Sequence, residues 1–159
     1  MKNVLIRKAT EKDLDKVLEM ADQLSVADSL YDKEIDLKWA NTPKGKKYYR
    51  EKVLTDSSVC LLAEINQESI GFALAKRKEV PPFRKVKVVE LEELFVKDKY
   101  RNKGIGKMLI DHFLNWAKDF GADKAAVDVY FLNEKGIKFY KREGFVPYDM
   151  ILEIPLDKV

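Results

Sequence analysis

A basic stretch that contains two glycines, RNKGIGK at residues 101–107, has the composition of an anion-binding loop. Gly104 and Gly106 would let the main chain approach a phosphate closely, because glycine has no Cβ. Apolar residues with helical spacing begin at Ile105, so a helix N-terminus is predicted there, with free N–H groups that attract negative charge. Three side chains add full positive charges: Arg101, Lys103 and Lys107. The alternative is a tight glycine turn with solvated basic side chains.

Two familiar phosphate-binding motifs do not match this stretch. A P-loop requires a glycine five residues before Gly106, where the chain has Arg101. It also requires a serine or threonine in place of Met108. A dinucleotide-binding fingerprint requires a third glycine, where the chain has Leu109. The stretch is therefore another kind of phosphate loop or a plain turn.

A second candidate for chemistry is the trio Glu90, Glu92 and Glu93 in the apolar run VVELEELFV. Carboxylates with apolar neighbours on both sides are costly unless they are exposed or functional. Simple alternation places Glu90 and Glu92 on one face of a strand and Glu93 on the other, and a β-bulge would change that assignment. Three carboxylates would attract a cationic ligand. The alternative is a solvated sheet edge paired with Lys85 and Lys87.

Six strands and four helices are predicted around these two features. The strands are at residues 3–7, 59–65, 70–77, 86–96, 125–130 and 148–154, and the helices are at 10–24, a short segment ending near 54, 105–120 and 134–142. Thr10 with Asp13 three residues later predicts the cap of the first helix. The order β-α-α-β-β-β-α-β-α-β predicts a mixed sheet covered by helices, with a right-handed parallel crossover over residues 86–130.

Composition sets the limits of this interpretation. The 159 residues are 46% hydrophobic, which favours one domain, residues 1–159, with a real core. Because 30 basic residues face 27 acidic ones, the net charge of +3 does not indicate a nucleic-acid partner. One cysteine and one histidine make a disulfide or a zinc site unexpected. No apolar run approaches a membrane span and no signal peptide is recognised, so we expect a soluble, cytoplasmic protein without a membrane partner.

The flanks of the glycine stretch carry a resemblance to a known family. The string L-x-V-x-x-x-Y-R-x-x-G-x-G, formed by Leu94, Val96, Tyr100, Arg101, Gly104 and Gly106, resembles the coenzyme A motif of the GNAT N-acetyltransferases. Residues 133–145 resemble that family's N-x-x-(A/G)-x-x-x-Y-x-x-x-G-F block, and residues 6–14 resemble its opening strand and helix start. One departure is Asn102, where many members have a further glycine. Nearly the whole chain is covered.

The resemblance implies a GNAT-like fold of the α/β class, a mixed and centrally splayed sheet flanked by helices. It implies acetyl-CoA as co-substrate, with no metal. The implied binding positions are Leu94, Phe95, Val96, Arg101, Asn102, Lys103, Gly104, Ile105, Gly106, Lys107, Asn133 and Tyr140. The loop would hold the pyrophosphate through its backbone, and residues 94–96 would pair with the pantetheine arm. Asn133 also has a simpler interpretation as a helix N-cap.

The resemblance further implies direct acetyl transfer in a ternary complex. Tyr140 matches the tyrosine that assists departure of the thiolate. Glu92, nine residues before Arg101, matches one position of the catalytic base, Glu90 matches another, and Glu93 is not excluded. The acceptor would be a primary amine on a polyamine, a small molecule, a lysine side chain or a protein N-terminus. The alternative function is a catalytically silent acyl-CoA-binding regulatory or interaction module. The oligomeric state stays open, with a homodimer as one option.

Overall fold

A single five-stranded sheet forms the centre of the computed structural model, which describes residues 3–156. The strands are β1 (Leu5–Lys8), β2 (Ser58–Ile65), β3 (Glu68–Lys78), β4 (Val88–Val96) and β5 (Lys124–Val127), and they are neighbours in that order. The helices are α1 (Leu14–Asp28), α2 (Pro43–Leu54), α3 (Ile105–Asp119) and α4 (Glu134–Arg142). Within the described residues, no helix has the length and apolar character needed to span a membrane.

The sheet is antiparallel from β1 to β4 and parallel between β4 and β5. The parallel arrangement predicted for the two strands on either side of α3 is therefore confirmed. Pairing between the parallel strands covers Val88 to Leu91 of β4 and all of β5. Residues 92–96 of β4 continue without a strand partner on that side among the described residues, so the sheet opens at its centre, as a splayed sheet should.

A β-bulge interrupts the pairing of β3 with β4. Leu74 lies opposite Glu93 and Ala75 lies opposite Leu91, so Glu92 is the extra residue on β4. A bulge re-aims side chains and shifts the alternation of the strand beyond it. As a result, Glu93 lies on the face covered by α2, whereas simple alternation had placed it on the face of Leu91.

Hydrophobic cores lie on both faces of the sheet. On one face, α3 buries Leu109, Ile110 and Phe113 at 1% exposure or less, and α4 adds Phe139 at the edge. On the other face, residues of α1 and α2 pack on Phe72 and other side chains of β2, β3 and β4. The helical spacing in α3 therefore gave the correct buried face, because its apolar residues recur every three or four positions.

The entrance to α1 matches the predicted cap. The backbone N–H of Thr10 donates to Asp13 at 2.9 Å, and a short 3-10 turn at Glu11–Asp13 leads into the helix. Arg7 of β1 donates to both Asp13 and Glu64 of β2 at 2.8 Å. The Arg7 guanidinium holds the pKa of Asp13 well below its usual range. This network ties the first helix to the sheet edge.

The predicted last strand, Tyr148 to Ile154, is wrong for the described chain. Residues 146–154 have no helix or strand and are exposed. A strand exists only when its backbone groups pair with a neighbour, and no neighbour is present here. Smaller differences concern ends: β4 begins at Val88 rather than at 86, and β5 ends at Val127 rather than at 130.

Candidate active site

The glycine stretch forms a helix N-terminus with free donors. Gly104 has φ 80°, a left-handed conformation that favours glycine, and it is the N-cap of α3 without a side-chain cap. The first helical bond of α3 runs from the N–H of Met108 to the carbonyl of Gly104 at 3.1 Å. The N–H groups of residues 105–107 therefore have no intrahelical partner, and they are available to an anion.

Gly106, the second glycine of the stretch, allows α4 to pack closely on the start of α3. A Cβ on Gly106 would lie 3.2 Å from the ring of Phe139, so a larger residue would push α4 away from the start of α3. This close approach packs the first turn of α3 against the later part of α4. Asn133 caps α4 by accepting from the N–H of Gly136 at 2.9 Å, which confirms its interpretation as an N-cap.

The basic side chains of the loop are exposed and have local partners. Arg101 donates to the carbonyl of Val96 at 2.9 Å and pairs with Asp98 at 2.9 Å. Lys103 donates to the carbonyl of Lys99 at 2.7 Å, and Lys107 pairs with Asp111 at 2.9 Å. Contacts of this kind at the surface contribute little free energy and exchange readily. The cations therefore surround the free N–H groups and can shift toward a bound anion.

Tyr140 presents an unengaged hydroxyl. Its ring packs edge-on against Phe139 and Phe145, with ring centroids 5.2 Å and 5.8 Å away. No described residue forms a hydrogen bond with its oxygen. Burial, with a contribution from the carboxylate of Asp28, raises its pKa above the usual value of a phenol. The hydroxyl therefore keeps its proton at neutral pH and can donate it.

Glu92, the bulged residue, has both carboxylate oxygens engaged. Tyr48 of α2 donates to one oxygen at 2.8 Å, and Lys76 of β3 forms an ion pair with the other. Lys52 lies 4.0 Å away. The side chain is therefore held in place between α2 and β3, with two lysines beside it.

Glu93 has one engaged and one free oxygen. Tyr49 donates to Oε1 at 2.9 Å, while Oε2 is buried and has no partner among the described residues. Burial raises the pKa of Glu93 to about 7, against the hydrogen bond from Tyr49, which lowers it. The carboxylates of Glu92 and Asp28 add to the rise. A carboxylate with this pKa can gain and lose a proton at neutral pH.

Glu90 lies in the part of β4 that pairs with β5, opposite Ala126. It is 8% exposed and forms an ion pair with Lys78, which also lies 3.7 Å from Asp128. Burial raises its pKa as well. The three glutamates of β4 thus lie in three different environments, which the sequence did not distinguish.

Aromatic residues complete the acidic side of the site. Tyr31, beyond the end of α1, stacks on Tyr130 at a ring distance of 5.7 Å, and the Tyr130 hydroxyl donates to Asp32 at 3.5 Å. The carboxylate of Asp28 adds to the rise in the pKa of both Glu93 and Tyr140.

Sequence reasoning missed Tyr48, Tyr49 and Trp39. The two tyrosines hold the glutamates, and the Trp39 ring lies 5.4 Å and 6.0 Å from their rings. Adjacent aromatic residues in a polar helix were the one available signal, but their partners lie 44 residues away along the chain.

Comparison with known proteins decides the family. The model of the acetyltransferase (GNAT) family matches residues 6–145. The chain belongs to this family. An uncharacterized N-acetyltransferase of Methanocaldococcus jannaschii is 30% identical over 152 residues, which make up 95% of this GNAT chain and 64% of the relative. The chain thus spans somewhat less than two thirds of that relative's length.

Solved structures share the GNAT fold. A tetramutant of the BH1408 protein from Bacillus halodurans has a TM-score of 0.80 at 22% identity, covering 96% of this chain and 99% of that one. The aminoglycoside N-acetyltransferase AAC(6')-Iy, in complex with CoA, has a TM-score of 0.77 at 22% identity, with 96% and 94% covered. The resemblance carried by the two motifs, and the splayed sheet that it implied, are confirmed.

Proposed function

We propose that this GNAT protein transfers the acetyl group of acetyl-CoA to a primary amine, with both substrates bound at once. The open side of β4 is the observation that carries the proposal. The free N–H groups of residues 105–107 follow one end of it, Glu93 lies on it, and the carboxylate of Asp28 affects the pKa of both Glu93 and Tyr140. An anion site, a free strand edge and two proton-transfer groups are what this transfer requires.

The residues present fit acetyl-CoA. Residues 101–107 would hold the pyrophosphate through free N–H groups, as the left-handed conformation of Gly104 allows. The unpaired side of β4 at Leu94, Phe95 and Val96 can accept an extended amide-bearing arm in the manner of an added strand. The amide of Asn133, at the start of α4, lies at the same end of the sheet. AAC(6')-Iy, which shares the fold, was solved with CoA.

Proton movements follow from the two sides of the cleft. Acetyl-CoA supplies the activated acetyl thioester. A carboxylate of β4 removes the proton of the acceptor ammonium, so that the amine nitrogen can form the new bond to the acetyl carbon. Tyr140, whose hydroxyl has no described partner and keeps its proton, donates to the departing sulfur.

Two residues compete for the role of base. The resemblance assigns it to Glu92. Local chemistry supports Glu93, which has a free buried oxygen and a pKa of about 7, whereas Glu92 is occupied by Tyr48 and Lys76. In the second assignment Glu92 would hold the charged acceptor rather than deprotonate it.

A cationic amine is the acceptor that this cleft favours. Carboxylates outnumber nearby lysines around the glutamates: Asp28, Asp32, Glu90, Glu92, Glu93 and Asp128 face Lys52, Lys76 and Lys78. Such a cleft raises the local concentration of cations. The fold neighbour AAC(6')-Iy is an aminoglycoside N-acetyltransferase. Polyamines, other small amines, lysine side chains and peptide N-termini belong to the same charge class.

Calorimetric titration with acetyl-CoA tests the loop. We expect Gly104→Asp to weaken binding at least tenfold, because it strains a left-handed residue and places a negative charge beside the anion site. Gly121→Asp is the matched control, since Gly121 also has positive φ (70°) and lies at the other end of α3. Equal losses in both variants, or none in Gly104→Asp, would contradict the assignment. A second assay measures the free thiol that is released when the protein is given acetyl-CoA and a panel of amines. An enzyme would release thiol, whereas a silent binding module would bind acetyl-CoA without consuming it.

A further inference from the structure

The hydroxyl of Tyr49, in α2, donates to Oε1 of Glu93 at 2.9 Å and has no other partner among the described residues. Only 4% of Tyr49 is exposed, so water has little access to this hydroxyl. Burial, followed by the charge of Glu93, raises the pKa of Tyr49 above the usual value of a phenol. The phenol therefore keeps its proton at neutral pH, and toward Glu93 it is a permanent hydrogen-bond donor.

Packing around α2 fixes the position of this donor. Thr42 caps α2 by accepting from the N–H of Gly45 at 3.1 Å. A Cβ on Gly45 would lie 2.1 Å from the carbonyl oxygen of Trp39, so the helix can lie this close to the preceding turn only because residue 45 is glycine. One turn further along, the Tyr49 ring packs edge-on against the Trp39 and Tyr48 rings, with centroids 6.0 Å and 5.3 Å away. A rigid, packed ring therefore holds the hydroxyl in place.

The carboxylate of Glu93 is left with one available oxygen. Oε1 accepts the hydrogen bond from Tyr49, whereas Oε2 is a buried atom without a partner among residues 3–156. Glu92, the residue before it, differs in that Tyr48 donates to one of its oxygens and Lys76 forms an ion pair with the other. Between these two carboxylates, Oε2 of Glu93 is therefore the atom that is free to receive a proton.

The groups that interact electrostatically with Glu93 come from four elements. They are Asp28 of α1, Tyr48 and Tyr49 of α2, Cys60 of β2 and Glu92 of β4. Burial raises the pKa of Glu93 to about 7, the hydrogen bond from Tyr49 lowers it, and the carboxylates of Glu92 and Asp28 raise it further. A hydrogen bond donated to a carboxylate favours its charged form. Of these groups, Tyr49 is therefore the one that opposes protonation of Glu93.

We infer that Tyr49 is a positioning residue of the acetyl transfer: by occupying Oε1 it orients the Glu93 carboxylate and leaves Oε2 as the one atom that takes the proton of the acceptor. The inference rests on the proposed function, with Glu93 as the base. In this step an N–H bond of the acceptor ammonium breaks, and its electron pair stays on nitrogen for attack on the acetyl carbon. The proton forms a new O–H bond at Oε2, while Tyr49 keeps its own proton and its hydrogen bond to Oε1.

Tyr49→Phe removes the hydroxyl and keeps the packed ring, so it tests the donor alone. If Glu93 is the base, kcat/KM rises with pH as Glu93 loses its proton and then levels off. Without the hydrogen bond the midpoint of this rise should move to higher pH by about one pH unit. The variant should therefore be about tenfold slower than the wild type near pH 6, with a loss that shrinks above about pH 8, where both carboxylates are ionised. A pH profile of kcat/KM, followed by thiol release, measures both effects.

Carbon-13 NMR of labelled glutamate carboxyls measures the titration of Glu93 without any substrate. The signal of Glu93 is the one that is absent from the spectrum of Glu93→Gln. In Tyr49→Phe this signal should titrate at higher pH by the same amount as the kinetic midpoint, because one proton is responsible for both.

Tyr48→Phe is the matched control, because the adjacent tyrosine donates to Glu92 instead, at 2.8 Å. It should leave the kinetic midpoint and the Glu93 titration within about 0.3 pH units of the wild type, since the bond to Glu93 is kept. An unmoved midpoint in Tyr49→Phe, an equal shift in both variants, or the same loss at every pH would overturn the inference. A shifted Glu93 titration with an unmoved kinetic midpoint would also overturn it, because the proton on Glu93 would then not control the reaction. A wild-type protein that releases no thiol with any amine would instead overturn the proposed function, and this role with it.

Discussion

The two halves of the candidate site use different chemical groups: one uses the backbone and the other uses side chains. The anion loop at residues 101–107 is one continuous segment, exposed over residues 101–104, whose binding groups are backbone N–H groups. The carboxylate cluster, by contrast, uses partly buried side chains of β4 that are held by Tyr48 and Tyr49 of a distant helix. Backbone groups are set by the conformation of a few residues, whereas a buried side-chain cluster depends on every neighbour that excludes water from it. The two halves should therefore respond very differently to single substitutions.

The largest effect on activity is expected from a substitution in the carboxylate cluster. If Glu93 is the base, Glu93→Gln should lower kcat/KM by about 10²- to 10⁴-fold, because general base catalysis contributes that much. A base acts when deprotonated. Activity of the wild type should therefore rise with pH through about 7, the pKa of Glu93, and then level off. Glu93→Gln should lose this rising limb, which a pH profile of kcat/KM measures.

Glu92→Gln is the matched comparison, as the neighbouring carboxylate with the same change. It should keep the rising limb and raise KM for the amine if Glu92 only holds the acceptor. The reverse pattern would return the base to Glu92, as the resemblance implies. Wild-type profiles in both variants would remove the base from this cluster altogether.

A smaller effect is expected at Tyr140. Tyr140→Phe should lower kcat by about 10- to 100-fold, less than the loss of the base, because a thiolate is a good leaving group with an ordinary thiol pKa of about 8.5. Because no described residue bonds its hydroxyl, the change should leave thermal stability nearly unaltered. Single-turnover measurement of thiol release separates a slower chemical step from slower binding of the substrates. An unchanged rate of thiol release in Tyr140→Phe would argue against Tyr140 as the donor to the departing sulfur.

The sequence predicted the anion loop of the candidate site well, but it did not predict the environments of the three glutamates. The loop was predictable because Gly104, Ile105 and the basic residues act within a few positions of one another. The bulge at Glu92 and the phenols that hold the glutamates were not, since they depend on the register of β3 against β4 and on the packing of α2. The face and the environment of each glutamate follow from that register, so a sequence could place the cluster on β4 without ranking its members.

The mixed sheet and its crossover followed from the order of the elements, and the last strand shows the limit of that reasoning. The residues from Tyr148 onward have a strand's composition, which a sequence reveals. Whether a strand forms depends on an available edge, which is a property of the assembled molecule. The alternating pattern therefore predicted a strand that the described chain does not form.

The smallest effect is expected in the loop. Lys103→Met should weaken acetyl-CoA binding only about two- to fivefold, because an exposed charge contributes up to about 1 kcal/mol and its Nζ already has the Lys99 carbonyl as a partner. The loss should shrink as salt is added, since exposed charges are screened. Titration at low and high salt measures both. Lys118→Met, at the far end of α3, removes the same charge away from the loop and should change affinity less. A loss as large as that of Gly104→Asp would mean that side-chain charge, rather than the backbone N–H groups, dominates binding at this end of the cleft.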